Sequence, residues 1–270
     1  MAVRLRALAM ALLTAIALMV GPAAFAADPG GNPQQARDEA VVRAALAART
    51  FEALAQHMPA LRQVLDKAPT SFPLVEQRGD LTIVREDGQT PAFVLALLVT
   101  AAAEKRNTRV VREFNTYPLA ALLLASYATE MKQPAQALAI LDMGLKIQPG
   151  NSGLVSEKAA ALFLLGRAQE GTALVSAWLE ANALADDVTR ARLLRSKGYG
   201  LTELKDLDGA EAGYRESLKL EPGHKGALYE VDYIGKLKAG GQRLGGEITT
   251  SDKAKTEDVK PHPAGEQPKL

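Results

Sequence analysis

The 270-residue sequence contains no cysteine. That absence removes disulfides, thiolate metal sites, cysteine nucleophiles and a lipid-bearing cysteine at a processing site. Histidine is almost as scarce. His57, His224 and His262 fall in a helical stretch, a post-helix turn and the C-terminal tail, with no metal-ligand spacing between any two. There is no Gly-x-Ser-x-Gly elbow, no phosphate loop and no His-Glu-x-x-His. The adjacent carboxylates Asp38/Glu39 and Asp186/Asp187 point in different directions on a helix and read as solvated charges or caps. The expectation is a chain that is not an enzyme and carries no cofactor and no metal.

A charge excess is also missing. The 32 basic residues face 31 acidic ones, so bulk charge recruits neither nucleic acid nor an anionic membrane. No apolar run beyond the start, MAVRLRALAMALLTAIALMVGPAAFA, is long enough to span a membrane. Two arginines, an apolar stretch from Ala7 to Val20, a Gly21-Pro22 break and Ala24-Phe25-Ala26 form the pattern of a signal peptide, residues 1–26, cleaved after Ala26. The apolar stretch is short of the roughly 20 residues that span a bilayer. The released chain is expected to have a net charge of about −1 and no stable membrane anchor. Its expected address is the periplasm of a Gram-negative bacterium, with secretion the alternative.

What is present is mostly helix. Residues 27–117 read as a mixed N-terminal region. A helix over 34–67 is interrupted at Pro59, and the loop APTSFPLVEQRGD carries Arg78-Gly79-Asp80 as a turn. LTIVRE at 81–86 reads as a strand, a helix starts at Thr90-Pro91, and TRVVREF at 108–114 is a second β-prone piece able to pair with the first. From Tyr117 the helices come in pairs: Pro118–Met131 with Ala135–Ile147, Leu154–Leu165 with Ala168–Ala181, Leu193–Leu204 with Leu207–Leu220, and a single last helix over 225–238. Residues 239–270 turn to Gly, Lys, Thr, Asp, Glu and Pro and are expected to be a disordered tail.

LKIQPG at 145–150 returns as LKLEPG at 218–223, 73 residues later. Helix-turn-helix units of about 34 residues ending in proline are the signature of tetratricopeptide repeats, and residues 118–238 resemble that family. The small and large positions fall on Leu124, Ala125, Ala137, Leu141 and Gly144 with a stop at Pro149, and on Leu194, Gly198, Leu201, Ala210, Tyr214 and Ser217 with a stop at Pro222. The middle unit offers Ala159, Leu162, Gly166, Gly171, Val175 and Trp178, with Ala183 where proline belongs. The units are set at 118–151, 152–190 and 191–224, with a capping helix at 225–238. Two perfect units span about 68 residues, so five extra ones lie between Trp178 and Leu193, as a longer second helix or a loop insertion.

The resemblance implies a mostly α, right-handed helical-hairpin solenoid, preceded by a helical region with one or two short strands. It also implies a concave groove lined by the first helices, and hence a protein-protein interaction scaffold that binds a protein or peptide. The inward positions are Leu122, Ser126 and Thr129, then Ser156, Ala160 and Phe163, then Arg192, Arg195, Tyr199 and Thr202, then Tyr229, Tyr233 and Lys236. Of these, Phe163, Arg192, Arg195, Tyr199, Thr202, Tyr229, Tyr233 and Lys236 are the candidate partner-binding residues, arginine for its forked donors and tyrosine for rigid amphipathic area. Family members that grip a chaperone's terminal carboxylate use a lysine and asparagine set with no counterpart here. The other reading open at this point is that residues 34–117 form an α+β module with its own ligand or activity, docked by the repeats.

Overall fold

The computed structural model describes residues 32–86, 109–183 and 185–240. The expected signal peptide, the expected helix from Pro91 and the tail beyond Gly240 lie outside the described residues.

Helices α1 (Pro33–Leu46) and α2 (Phe51–Asp66) replace the single interrupted helix expected over 34–67. The break falls at residues 47–50, where Thr50 turns extended and its side chain accepts from Ala53 N, capping a new helix. Pro59 lies inside α2 on its exposed side, where a carbonyl left without an N–H partner is open to water.

Three strands follow, one more than expected: β1 (Val75–Arg78), β2 (Leu81–Glu86) and β3 (Arg109–Phe114). β1 and β2 are antiparallel, closed by Gly79-Asp80 with Gly79 at φ +60. β2 and β3 pair in parallel, Leu81 opposite Arg109 through Glu86 opposite Phe114. β1 lacks the apolar alternation of a strand because it is an edge, with only Glu76 part-buried among its four residues.

β2 lies between the other strands, and Thr82, Ile83, Val84 and Arg85 are all buried. Arg85, 1% exposed, is held by Glu113 Oε2 at 3.0 Å, Glu76 Oε2 at 2.5 Å and the Pro73 carbonyl at 2.6 Å, with its guanidinium 3.7 Å over the Phe72 ring. Burial would raise Glu76, but hydrogen bonds from Arg85 and Arg78 outweigh it and hold the carboxyl below its ordinary value. Phe72 meets Tyr117 edge-on, and the Tyr117 hydroxyl donates to Asp38 of α1 at 3.3 Å. Burial, then the Asp38 charge, pushes the Tyr117 phenol up to about 12.

The paired helices are α3 (Thr116–Glu130) with α4 (Pro134–Ile147), α5 (Ser152–Leu164) with α6 (Ala168–Ala181), α7 (Asp187–Glu203) with α8 (Leu207–Leu220), and the single α9 (Lys225–Lys238). Each first helix ends the same way. Gln133, Arg167 and Asp206 donate their N–H to the carbonyls of Ala128, Leu162 and Leu201, and the residues before them, Lys132, Gly166 and Lys205, are left-handed at φ 59, 72 and 65. This is a Schellman closure repeated in three units. Lys132 and Gly166 stand 34 residues apart, Gly166 and Lys205 39 apart.

The five extra residues lengthen neither α6 nor its loop alone. α6 stops at Ala181, and α7 starts at Asp187, capped by Asp186, so the added length becomes an extra first turn of α7. A boundary at 190/191 therefore cuts this helix. Arg190, on that turn, donates to the carbonyls of Asn182 at 3.2 Å and of Leu179 and Ala183 at 3.5 Å, covering the negative end of α6 where proline is missing.

One buried cluster runs from Val42, Leu54 and Phe72 through Leu119, Leu123 and Leu141 to Leu154. The N-terminal helices and the first hairpin thus share a core. The second hairpin builds its own around Val155, Phe163, Val175, Trp178 and Leu193, and the last around Ala210, Tyr214, Ala227 and Ile234. Close approach between helices uses glycine: a Cβ on Gly198 would lie 2.9 Å from the Tyr214 ring, and one on Gly200 would strike Thr172 and Phe163.

Candidate functional site

The first helices α3, α5 and α7 lie side by side, while the second helices pack behind them. The surface that remains on the first-helix side begins only at the very end of α3, because the N-terminal helices pack along it as far as its last turn: Leu122 is 5% exposed and Phe51 stacks on Tyr127 at 4.7 Å.

On α7, Arg192, Arg195 and Tyr199 are half-buried and share this side. Arg192 reaches across to α5, donating Nη2 to Ser152 Oγ at 3.2 Å. Arg195 donates to Glu221, which ends α8. The Tyr199 ring lies 5.3 Å from Phe163, centroid to centroid.

Two expected partner-binding residues turn inward. Thr202 is buried, and its hydroxyl donates to the Gly198 carbonyl at 3.0 Å. The reason is helical pitch: ten residues at 100° each leave Thr202 about 80° round from Arg192, on the core flank, whereas an eleventh step returns to within about 20°. The stripe therefore continues through Ser196 and Glu203, both half-buried. Phe163 is also buried, its ring filling the space over Gly171 and Gly200. On α5 the charged side chain left on this side is Glu157, one position from the buried Ser156.

Tyr229, Tyr233 and Lys236 sit on α9. Tyr229 is 57% exposed and stacks on Tyr233, and Lys236 pairs with Asp232 one turn away at 2.6 Å.

Three glutamates complete the face, none of them expected from the sequence. Glu157, Glu130 at the end of α3 and Glu230 of α9 have no hydrogen-bond or ion-pair partner among the described residues. Burial pushes the Glu157 carboxyl up to about 6; Arg192 opposes the rise and Glu130 adds to it. Burial raises Glu130 and Glu230 in the same direction. Tyr214 behind them is raised well above its usual value by burial, then by the charge of Glu230. The face is thus a line of half-buried carboxylates flanking two arginines that already hold internal acceptors. The signal that finds these positions is angular: a stripe followed at i, i+4, i+7, i+11 picks up 196 and 203, and the half-buried glutamates need the neighbouring helices to be placed.

Away from this face, Arg190, Ala212, Arg215, Glu216, Lys219 and Leu220 line an open hollow of about 550 Å³ between α7 and α8. No group of three or more His, Asp or Glu side chains able to hold a metal ion occurs among the described residues.

No protein-family model and no curated protein matches the chain. Solved structures that resemble it include the first TPR of Spaghetti (RPAP3) bound to HSP90 peptide SRMEEVD, 20% identical, covering 45% of this chain and 93% of that one, with a TM-score of 0.41. MamA AMB-1 is 13% identical, with 77% and 91% covered and a TM-score of 0.44. TTC0263, a thermophilic TPR protein in Thermus thermophilus, is 12% identical, with 74% and 98% covered and a TM-score of 0.40. Three hairpins with the same closure, stacked first helix to first helix and completed by a single last helix, make this chain a TPR-like helical solenoid with a small three-stranded sheet at its N-terminal end.

Proposed function

We propose that this chain is a non-catalytic interaction scaffold of the bacterial cell envelope, exported by residues 1–26 and holding a protein or peptide along its first-helix face. The observation that carries the reading is the common face itself: Glu157, Arg192 and Tyr199 come from two different units and meet on one surface. Such a surface suits an extended partner better than a small molecule, which calls for a concave, mostly enclosed site. The periplasm is the proposed address, with secretion the alternative. Neither nucleic acid nor a membrane anchor enters the proposal.

The alternative gives residues 34–117 a ligand of their own. The shared core of Val42, Leu54 and Phe72 with Leu119 and Leu123 supports a capping role instead, since separating the two parts would expose that surface. Photocrosslinking from position 160, on the first-helix face, in intact cells tests the scaffold. A discrete crosslinked envelope protein is expected; crosslinks only from a probe in residues 34–117 would transfer the function there.

A further inference from the structure

The charges on this face are not engaged alike. Its arginines are engaged within the fold, Arg192 on Ser152 and Arg195 on Glu221. Its carboxylates are not: Glu130 and Glu157 have neither hydrogen-bond nor ion-pair partner among the described residues, and they lie close enough for Glu157 to feel the charge of Glu130. Glu130 is also the last residue of α3, where the helix dipole adds further negative potential. One turn earlier on the same stripe, Ser126 Oγ is buried and has no hydrogen-bond partner.

On the scaffold reading above, we infer that this face takes a basic segment of its partner, with a lysine ammonium seated between Glu130 and Glu157. The chemistry matches in number as well as sign. An ammonium has three donors and no acceptor, and the two carboxylates and the Ser126 hydroxyl are three acceptors without internal donors. An acidic segment or a terminal carboxylate would bring like charge against two half-buried carboxylates. Arg192 acts on Glu157 from the α7 side, with its Nη2 held by Ser152 Oγ at 3.2 Å, whereas Glu130 faces it from α3 on the other side of α5. Seating the ammonium removes the like-charge opposition between the two glutamates, which is the gain that orients the partner.

The test uses the mature full-length chain and two acetylated, amidated decapeptides, one alternating glycine with lysine and the other glycine with glutamate, titrated calorimetrically at low salt and pH 7.5. The lysine peptide is expected to bind and the glutamate peptide not. Glu130→Gln and Glu157→Gln, which keep shape and remove charge, are each expected to weaken the lysine peptide about tenfold. Binding of the glutamate peptide, or unchanged binding of the lysine peptide to both variants, would overturn the inference. Crosslinks from position 160 to residues 241–270 or to a second copy would do so too, by giving the face another occupant. If envelope proteins still crosslink from position 160 while the lysine peptide fails, the scaffold stands and only its charge preference falls; if nothing crosslinks there, both fall.

Discussion

Arg195 Nη1 donates to Glu221 Oε2 at 2.5 Å, joining the middle of α7 to the residue that ends α8. The side chains are 11% and 24% exposed, so the pair is well shielded from solvent. An arginine that the sequence offers as a partner contact therefore also holds the hairpin closed. Removing one member leaves the other partly buried and uncompensated. A double-mutant cycle of Arg195→Ala and Glu221→Ala is expected to give a coupling of about 1–2 kcal/mol in urea unfolding, and Arg195→Glu a larger loss because it opposes Glu221. Loss of a partner with Arg195→Glu would thus report stability as well as binding, which makes Tyr199→Ala and Glu157→Gln the better binding variants.

Lys132 and Lys205 occupy the left-handed position that Gly166 fills in the middle unit. A side chain there costs about 1 kcal/mol relative to glycine, less the entropy that glycine gains on unfolding. Lys205→Gly is expected to stabilise by about 0.5 kcal/mol, and Gly166→Ala to destabilise by about 1 kcal/mol. Thermal unfolding of the two variants checks both signs.

These positions also show how much is legible in the sequence. Proline stops at 149 and 222 and the small-residue pattern place six of the seven repeat-region helices to within two residues, because local capping and packing dictate them. The start of α7 is misplaced because Asp186 and Asp187 read equally as solvated charges or caps, and neighbouring structure decides between them: Asp186 accepts from Thr189 N and begins the helix. β1 escapes the sequence pattern because an edge strand needs no apolar alternation, and its pairing with β2 decides it. Glu130 and Glu157 escape it because their significance lies between helices. Nothing along either helix distinguishes them from solvated charges.

Arg85 is the most deeply buried charge among the described residues of the N-terminal region, and its partners come from β1, β3 and the loop before β1. Arg85→Ala leaves Glu76 and Glu113 facing each other without their cation, at a cost of roughly 3–5 kcal/mol. Arg62→Ala, which breaks an exposed pair with Asp66, is expected to cost under about 0.5 kcal/mol. Comparing the two by urea unfolding tests whether the sheet is held by this network. Near-equal losses would contradict it.

Gly200 sits where α7 passes α5 and α6. A Cβ there would lie 2.8 Å from Phe163 Cε1 and strike Thr172 Oγ1, which is held by the Ala168 carbonyl at 2.8 Å. Gly200→Ala would gain helix propensity of nearly 1 kcal/mol, but the overpacking is expected to outweigh it for a net loss of about 1–2 kcal/mol. A control at Gly235, exposed on α9 with open space around its Cα, should instead gain stability on conversion to alanine.

Glu157 supplies the pH dependence. Its carboxyl is raised from 4.5 to about 6 by burial, with Glu130 adding to the rise and Arg192 opposing it. The folded state therefore holds the proton more tightly than the unfolded chain, so this group's contribution to stability grows as pH falls from above 6 to about 4.5 and is lost as pH rises through 6. Discounted for the side chain's partial exposure, the difference is about 1 kcal/mol. Glu157→Gln is expected to remove that rise and to stabilise the protein by a similar amount at pH 7.5, read from urea unfolding at pH 5 and pH 7.5. Binding runs the other way. Protonation removes the charge that seats an ammonium, so a basic peptide is expected to bind the native chain several-fold more weakly at pH 5 than at pH 7.5. The Gln variant should bind weakly at both and lose most of this dependence, because Glu130 alone remains to titrate.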